Sequence, residues 1–177
     1  MRDEEIIKRQ IGRKPRGFME VASRCPMGMP ETIVTSPLVP ARRGLNTPFE
    51  PFPTVFWLTC PGAIKAASRL EAEGWITKLE ARLAQAPEAQ REYEEAARSY
   101  AAFRQTLLTE DQLKWIKTYK PSWYDVICES GVGGIPQGNK GLKCLHAHYA
   151  DYLVRGKNPV GRWVYELLSR WRAIERS

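Results

Sequence analysis

The chain has 177 residues, 43% of them hydrophobic, with a net charge of +7 and a pI near 9.4. That is length and apolar content for one packed domain, which excludes an intrinsically disordered chain, and no apolar run approaches the roughly 20 residues of a membrane-spanning helix. The charged N-terminus lacks the apolar core of a signal peptide, so a cytoplasmic protein is expected, its cysteines held as thiols or ligands rather than disulfides.

Residues 1–20 read as a basic N-terminal arm: a short helix over residues 4–10, then an extended stretch carrying Arg13, Lys14 and Arg16. Residues 21–177 read as a single domain. Residues 21–24 lead into a Gly/Pro turn over 25–30. Residues 32–35 read as a strand and 36–53 as an ordered but irregular proline-rich loop. Residues 54–59, β-branched and aromatic between two prolines, carry the strongest strand signal. Cys60-Pro61 opens a helix, with proline at its first position. The period of Ile64, Ala67, Leu70, Glu71, Trp75, Leu79 and Leu83 carries that helix to Gln85. A second helix starts at Pro87, with Tyr93, Ala97, Tyr100 and Phe103 on one face. Thr109 to Gln112 is a capping box that starts a third helix, ending before Pro121. Residues 122–127 form a short segment with an extended reading. A helix over 142–154 is stopped by Gly156, and Asn158-Pro159 opens a last helix with Trp163, Leu167, Trp171 and Ile174 on one stripe. The expected fold is mainly α (α+β): a single domain of about six helices with a small two-stranded β element.

The chemistry gathers in residues 129–148, where a glycine-rich loop runs into Cys144 and the chain's only two histidines, His146 and His148. Zinc and iron–sulfur sites need thiolate and imidazole groups at close range. Within a helix, Cys144 and His148 share a face; with Cys144 in the loop, His146 becomes the nearer partner. Cys60, at a helix N-terminus, and Cys25, in the Gly/Pro turn, are the other candidates. Together Cys25, Cys60, Cys144 and His146 or His148 would hold zinc or an iron–sulfur cluster, in a closed structural site if four protein groups fill it. No Cys-x-x-Cys pair exists, and buried thiols or a reactive cysteine are the competing readings. Cys128 stands apart as a core thiol.

Gly133, Gly134, Lys140 and Lys143 form a basic glycine loop able to present N–H groups and charge to a phosphate. The loop departs from a Walker A motif, because Asn139 stands where lysine is required, and no βαβ unit surrounds it. A turned connector is its competing reading. The function expected is a metal-binding protein that takes an anionic or phosphorylated ligand or partner. The alternatives are a metal- or cysteine-dependent hydrolase or transferase acting on a phosphorylated substrate, and an RNA-binding module. The last would use Arg13, Lys14, Arg16, Arg162, Arg170 and Arg172 with Trp163 and Trp171. No catalytic residue follows from the sequence.

Several motifs occur in order: Arg9-Gln10-Ile11-Gly12-Arg13-Lys14-Pro15-Arg16-Gly17, Arg24-Cys25-Pro26-x-Gly28-x-Pro30, Pro51-Phe52-Pro53-Thr54-x-Phe56-Trp57-Leu58-Thr59-Cys60-Pro61, Ser68-Arg69-Leu70-Glu71-Ala72-Glu73-Gly74 and Lys143-Cys144-Leu145-His146-Ala147-His148. In these the chain resembles the bacterial family called domain of unknown function 501, over nearly its whole length. The resemblance implies a bacterial, cytoplasmic protein and brings no activity, substrate or cofactor with it.

Overall fold

The β-branched run Thr32-Ile33-Val34-Thr35 lies in the central strand of a three-stranded antiparallel sheet in the computed structural model, which describes residues 2–139 and 141–174. That strand, β2 (Pro30–Thr35), is flanked by β1 (Phe18–Arg24) and β5 (Phe56–Leu58). Thr32 faces Leu58 and Val34 faces Phe56, and all four side chains are buried where β2 meets β5. The Cys25 turn closes the β1–β2 hairpin, with Gly28 N–H donating to Cys25 O at 2.8 Å. The proline-rich stretch is less irregular than expected. It holds a second antiparallel ladder, β3 (Leu38–Pro40) with β4 (Phe49–Pro51).

The six expected helices become eight α-helices among the described residues. They are α1 (Asp3–Ile11), α2 (Pro61–Ala72), α3 (Trp75–Ala84), α4 (Pro87–Thr106), α5 (Glu110–Tyr119), α6 (Pro121–Tyr124), α7 (Leu145–Arg155) and α8 (Pro159–Ile174). One addition comes from Gly74, which takes φ +76 and breaks the run 60–85 into α2 and α3. The other is α6, continued by a π-turn over Asp125–Glu129, where extended backbone was one reading. Side chains from α4 hold this segment: Arg104 donates to the carbonyl oxygens of Ile127 and Ser130, and Gln105 to that of Cys128. Thr109 and Gln112 form the expected capping box of α5.

The main core lies between the sheet and α2, α3, α4, α7 and α8, and includes Val34, Phe56, Leu70, Leu79, Leu145, Tyr149 and Val164. Each such large side chain contributes about 1.5–3 kcal/mol by leaving water. α7 crosses α8 closely at Gly161, where any Cβ would run into His148 O and the Tyr152 side chain. A smaller cluster, Leu38, Leu108, Ile116, Ile127 and Cys128, sits around α5 and β3. The short helix expected over residues 4–10 is present as α1 and is docked on the domain: Ile7 is fully buried and Gln10 Nε2 donates to Pro30 O at 2.9 Å, while β1 spans residue 20. No helix among the described residues is long and apolar enough to cross a membrane.

Candidate functional site

Along α2, Ile64, Ser68 and Glu71 recur at four and three residues, so they share one face. The chain enters α7 opposite that face. Two carboxylates pin the entry: Glu80 accepts from Leu142 N–H at 2.9 Å and Glu71 accepts from Leu145 N–H at 2.7 Å. Lys143 stands between them at φ +53, a left-handed conformation that costs a non-glycine residue about 1–2 kcal/mol. Cys144 follows in extended conformation as the residue preceding the first turn of α7. The alternative in which Cys144 precedes the helix therefore holds, and His146 is its neighbour.

The His146 ring sits between α2 and Cys144. Its Nδ1 lies 3.1 Å from Glu71 Oε1 and 3.7 Å from Cys144 Sγ. Its Nε2 lies 3.2 Å from Ile64 O and 3.1 Å from Ser68 Oγ. A carbonyl only accepts, so Nε2 carries a proton and donates it to α2. The hydrogen bond with Cys144, together with the Glu71 charge, raises the His146 pKa to about 9 against the opposing pull of burial. At neutral pH the metal-free ring is an imidazolium paired with Glu71. One ligand atom each from Glu71, Cys144 and His146 lies within 4.8 Å of the others, the one such group of three or more found among the described residues.

Cys144 and His146 line a cavity of about 530 Å³, within the range of small-molecule sites. Phe56, Trp57 and Ile64 give it apolar walls, while Lys143 and Arg13 bring positive charge. No Asp or Glu is among the residues lining it.

The remaining sequence candidates lie elsewhere or play other parts. His148 is fully buried; its Nε2 donates to Leu142 O at 3.0 Å and its Nδ1 accepts from Asn158 Nδ2 at 3.0 Å. Burial drives its pKa down to about 4, so the ring is neutral and both nitrogens are engaged. Asn158 also hydrogen-bonds Asp151, and its Oδ1 caps α8 by accepting from Val160 and Gly161 N–H. His148 thus fastens α7 to α8. Cys25 lies in the β1–β2 turn and Cys60 at the N-terminus of α2; neither joins the Glu71 group. Cys128 is a buried thiol, pushed up to about 11 by burial.

Gly133 lines the cavity, and Gly134 packs on Pro53. The loop's N–H groups are largely turned inward, because those of Gly131, Gly134, Ile135 and Asn139 donate to carbonyl oxygens within the loop. The positive charge at the cavity comes from side chains instead. Lys140 lies outside the described residues. Of the residues suited to RNA, Trp163 is buried, while Arg16 pairs with Glu50 and Arg162 with Glu92.

The sequence reading missed Glu71 and Ser68 as site residues. The available signal was Glu71 itself, a charge standing in the apolar period Ile64, Ala67, Leu70, where an acid needs a partner.

A family model described as protein of unknown function (DUF501) matches residues 21–166. No curated protein and no solved structure matches the chain.

Proposed function

The chain belongs to the DUF501 family of proteins of unknown function, and we propose that it binds one zinc ion through Glu71, Cys144 and His146 and takes an anionic ligand in the adjoining cavity. The spacing of the three donors carries this reading. With bonds of about 2.3 Å to sulfur and about 2.0–2.1 Å to nitrogen and oxygen, tetrahedral zinc spaces its S and N ligands about 3.6 Å apart and its N and O ligands about 3.3 Å apart. Here Sγ and Nδ1 stand 3.7 Å apart, and Nδ1 and Oε1 stand 3.1 Å apart. The outer contacts suit the same role. A ligating histidine donates its other N–H to a backbone carbonyl or carboxylate, as Nε2 does to Ile64 O. Glu71 is steadied in turn by Leu145 N–H.

Three protein donors leave a fourth position, and the cavity lies on the side of Cys144 and His146. A metal held this way can polarise a bound water or a ligand oxygen, which favours the hydrolase or transferase alternative over a closed structural site. An iron–sulfur cluster is not favoured, because the group contributes a single thiol. Elemental analysis of purified protein tests the reading. A single zinc per chain is expected, lost in Glu71→Ala and His146→Ala and retained in Cys25→Ala and Cys60→Ala. Zinc retained in His146→Ala, or lost in Cys25→Ala or Cys60→Ala, contradicts it.

The contact of Cys144 Sγ with His146 Nδ1 at the start of a helix favours one second reading, a metal-free cysteine nucleophile. Iodoacetamide separates the two. Under the zinc reading the metal protects Cys144 from alkylation; under the nucleophile reading Cys144 of metal-free, freshly purified protein alkylates fast.

A further inference from the structure

Arg13 and Lys143 both line the cavity, and each is placed there without an acid. In the basic run of residues 13–16, Lys14 pairs with Glu4 and Arg16 with Glu50. Arg13 instead lies over an indole, its guanidinium carbon 5.8 Å from the centroid of the Trp57 ring. Trp57 is itself fixed: it stacks on Phe52 with centroids 5.2 Å apart, and its Nε1 donates to Thr54 O at 2.7 Å. Contact with a ring holds the guanidinium without an oxygen acceptor. Among the described residues the Arg13 side chain makes no ion pair and donates no hydrogen bond, so its fork of N–H donors is free. Lys143 is placed by its backbone. Its φ of +53 is held between two clamped neighbours, Leu142 N–H on Glu80 and Leu145 N–H on Glu71, and strain of this kind collects at ligand sites. Its side chain is exposed and likewise unpaired among the described residues.

The charge of the cavity follows from these groups. Among the described residues no Asp or Glu lines it, and Arg13 and Lys143 supply two positive charges. Zinc held by Glu71, Cys144 and His146 adds nothing to that sum, because the carboxylate and the thiolate cancel its two charges and the imidazole ligates neutral. A monoanion would leave one of the two cations uncompensated. A phosphate monoester carries about −1.5 to −2 at pH 7, and an arginine fork takes its oxygens two at a time.

We infer that the ligand is a phosphate monoester whose dianionic head is held between Arg13 and Lys143. The inference rests on the anion-binding reading of the cavity and sharpens it, from any anion to a phosphate dianion. It makes Arg13 and Lys143 the specificity residues. Gln10 takes no part through its Oε1, which is buried without a hydrogen-bond partner and out of a ligand's reach.

The test is calorimetric titration of the full chain at pH 8, zinc-loaded and zinc-free, with three probes: phenylphosphonate, benzenesulfonate and phenylmalonate. Phenylphosphonate stands for the monoester; its carbon–phosphorus bond keeps it from turning over, and it is chiefly a dianion at this pH. Benzenesulfonate has the same shape and one charge less. Phenylmalonate carries two charges on separate carboxylates. The wild type is expected to bind phenylphosphonate about tenfold more tightly than either of the others, the value of one further charge pair near a protein surface. Arg13→Gln and Lys143→Gly each leave a single cation, so phenylphosphonate weakens about tenfold and loses its lead over benzenesulfonate. Benzenesulfonate affinity, retained within about threefold, shows that the variants' cavities are intact. Equal affinity for phenylphosphonate and benzenesulfonate in the wild type, a preference that survives both substitutions, or phenylmalonate as the tightest probe overturns the inference while the anion reading stands. Failure of all three probes overturns both. The same ranking is expected without zinc, where the two cations remain, so failure of the metal reading leaves the test intact; a ranking seen only with zinc would assign the preference to the metal and overturn the inference.

Discussion

His148 lets the buried junction of α7 and α8 be tested through proton linkage. In the folded protein burial holds its pKa at about 4, against an ordinary value of 6.5. An unfolded chain therefore binds a proton in this interval that the folded chain refuses. A histidine with a depressed folded pKa stabilises the fold fully above its unfolded pKa, and that stability is lost as pH falls from about 6.5 toward 4. At about 1.36 kcal/mol for each pKa unit, the whole step is worth about 3 kcal/mol, of which about 2 kcal/mol is lost between pH 7 and pH 4.5. The perturbation is His148→Gln, a side chain that keeps a donor and an acceptor and does not titrate. Urea unfolding of wild type and variant at pH 7 and pH 4.5 provides the assay, each protein referred to its own value at pH 7. Carboxylates titrate alike in both and cancel in the difference. The wild type should lose about 2 kcal/mol more than the variant. Parallel losses, or a variant more acid-sensitive than the wild type, would refute the claim that a neutral His148 is locked between Leu142 O and Asn158.

Substitutions at three further positions probe other supports of the fold and the site. Gly161→Ala forces a Cβ into His148 O and Tyr152, and overpacking of this kind costs about 3 kcal/mol or more, a fall in melting temperature of about 6–12 °C; an unchanged melting temperature would show that α7 and α8 do not cross so closely. Arg104→Met leaves the carbonyls of Pro53, Ile127 and Ser130 without the Arg104 donor and should cost about 3–5 kcal/mol in denaturant unfolding, with Arg104→Lys restoring only part because one ammonium cannot reproduce the planar fork. Lys143→Gly relieves the left-handed backbone and should leave stability equal or higher while weakening anion binding; a loss of stability would mean that Lys143 holds the fold rather than the ligand.

What the sequence made legible followed local rules. Thr109 and Gln112 announce a capping box, and the proline after Cys60 and the glycine at 156 mark helix ends where they occur. Gly74 escaped because the apolar period of Ile64 to Leu83 runs across it, hiding a break that depends on one residue's φ. The choice between His146 and His148 turned on whether Cys144 sits inside α7 or before it. That is decided by Glu71 and Glu80, more than sixty residues away in sequence. Cys25 and Cys60 join Cys144 as candidates through thiol chemistry alone; neither belongs to the Glu71, Cys144 and His146 group, and spacing along a chain carries no information about which loops meet. The orphan acceptor of Gln10 was likewise invisible, since it arises from how α1 docks on β2.

Zinc K-edge X-ray absorption on protein purified with stoichiometric metal tests the central claim most directly. Ligation by Glu71, Cys144 and His146 predicts a first shell with a single sulfur at about 2.3 Å and nitrogen or oxygen scatterers at about 2.0–2.1 Å for the rest, one of them exchangeable. A shell of two or more sulfurs, or a protein that binds no zinc while folded, would contradict it.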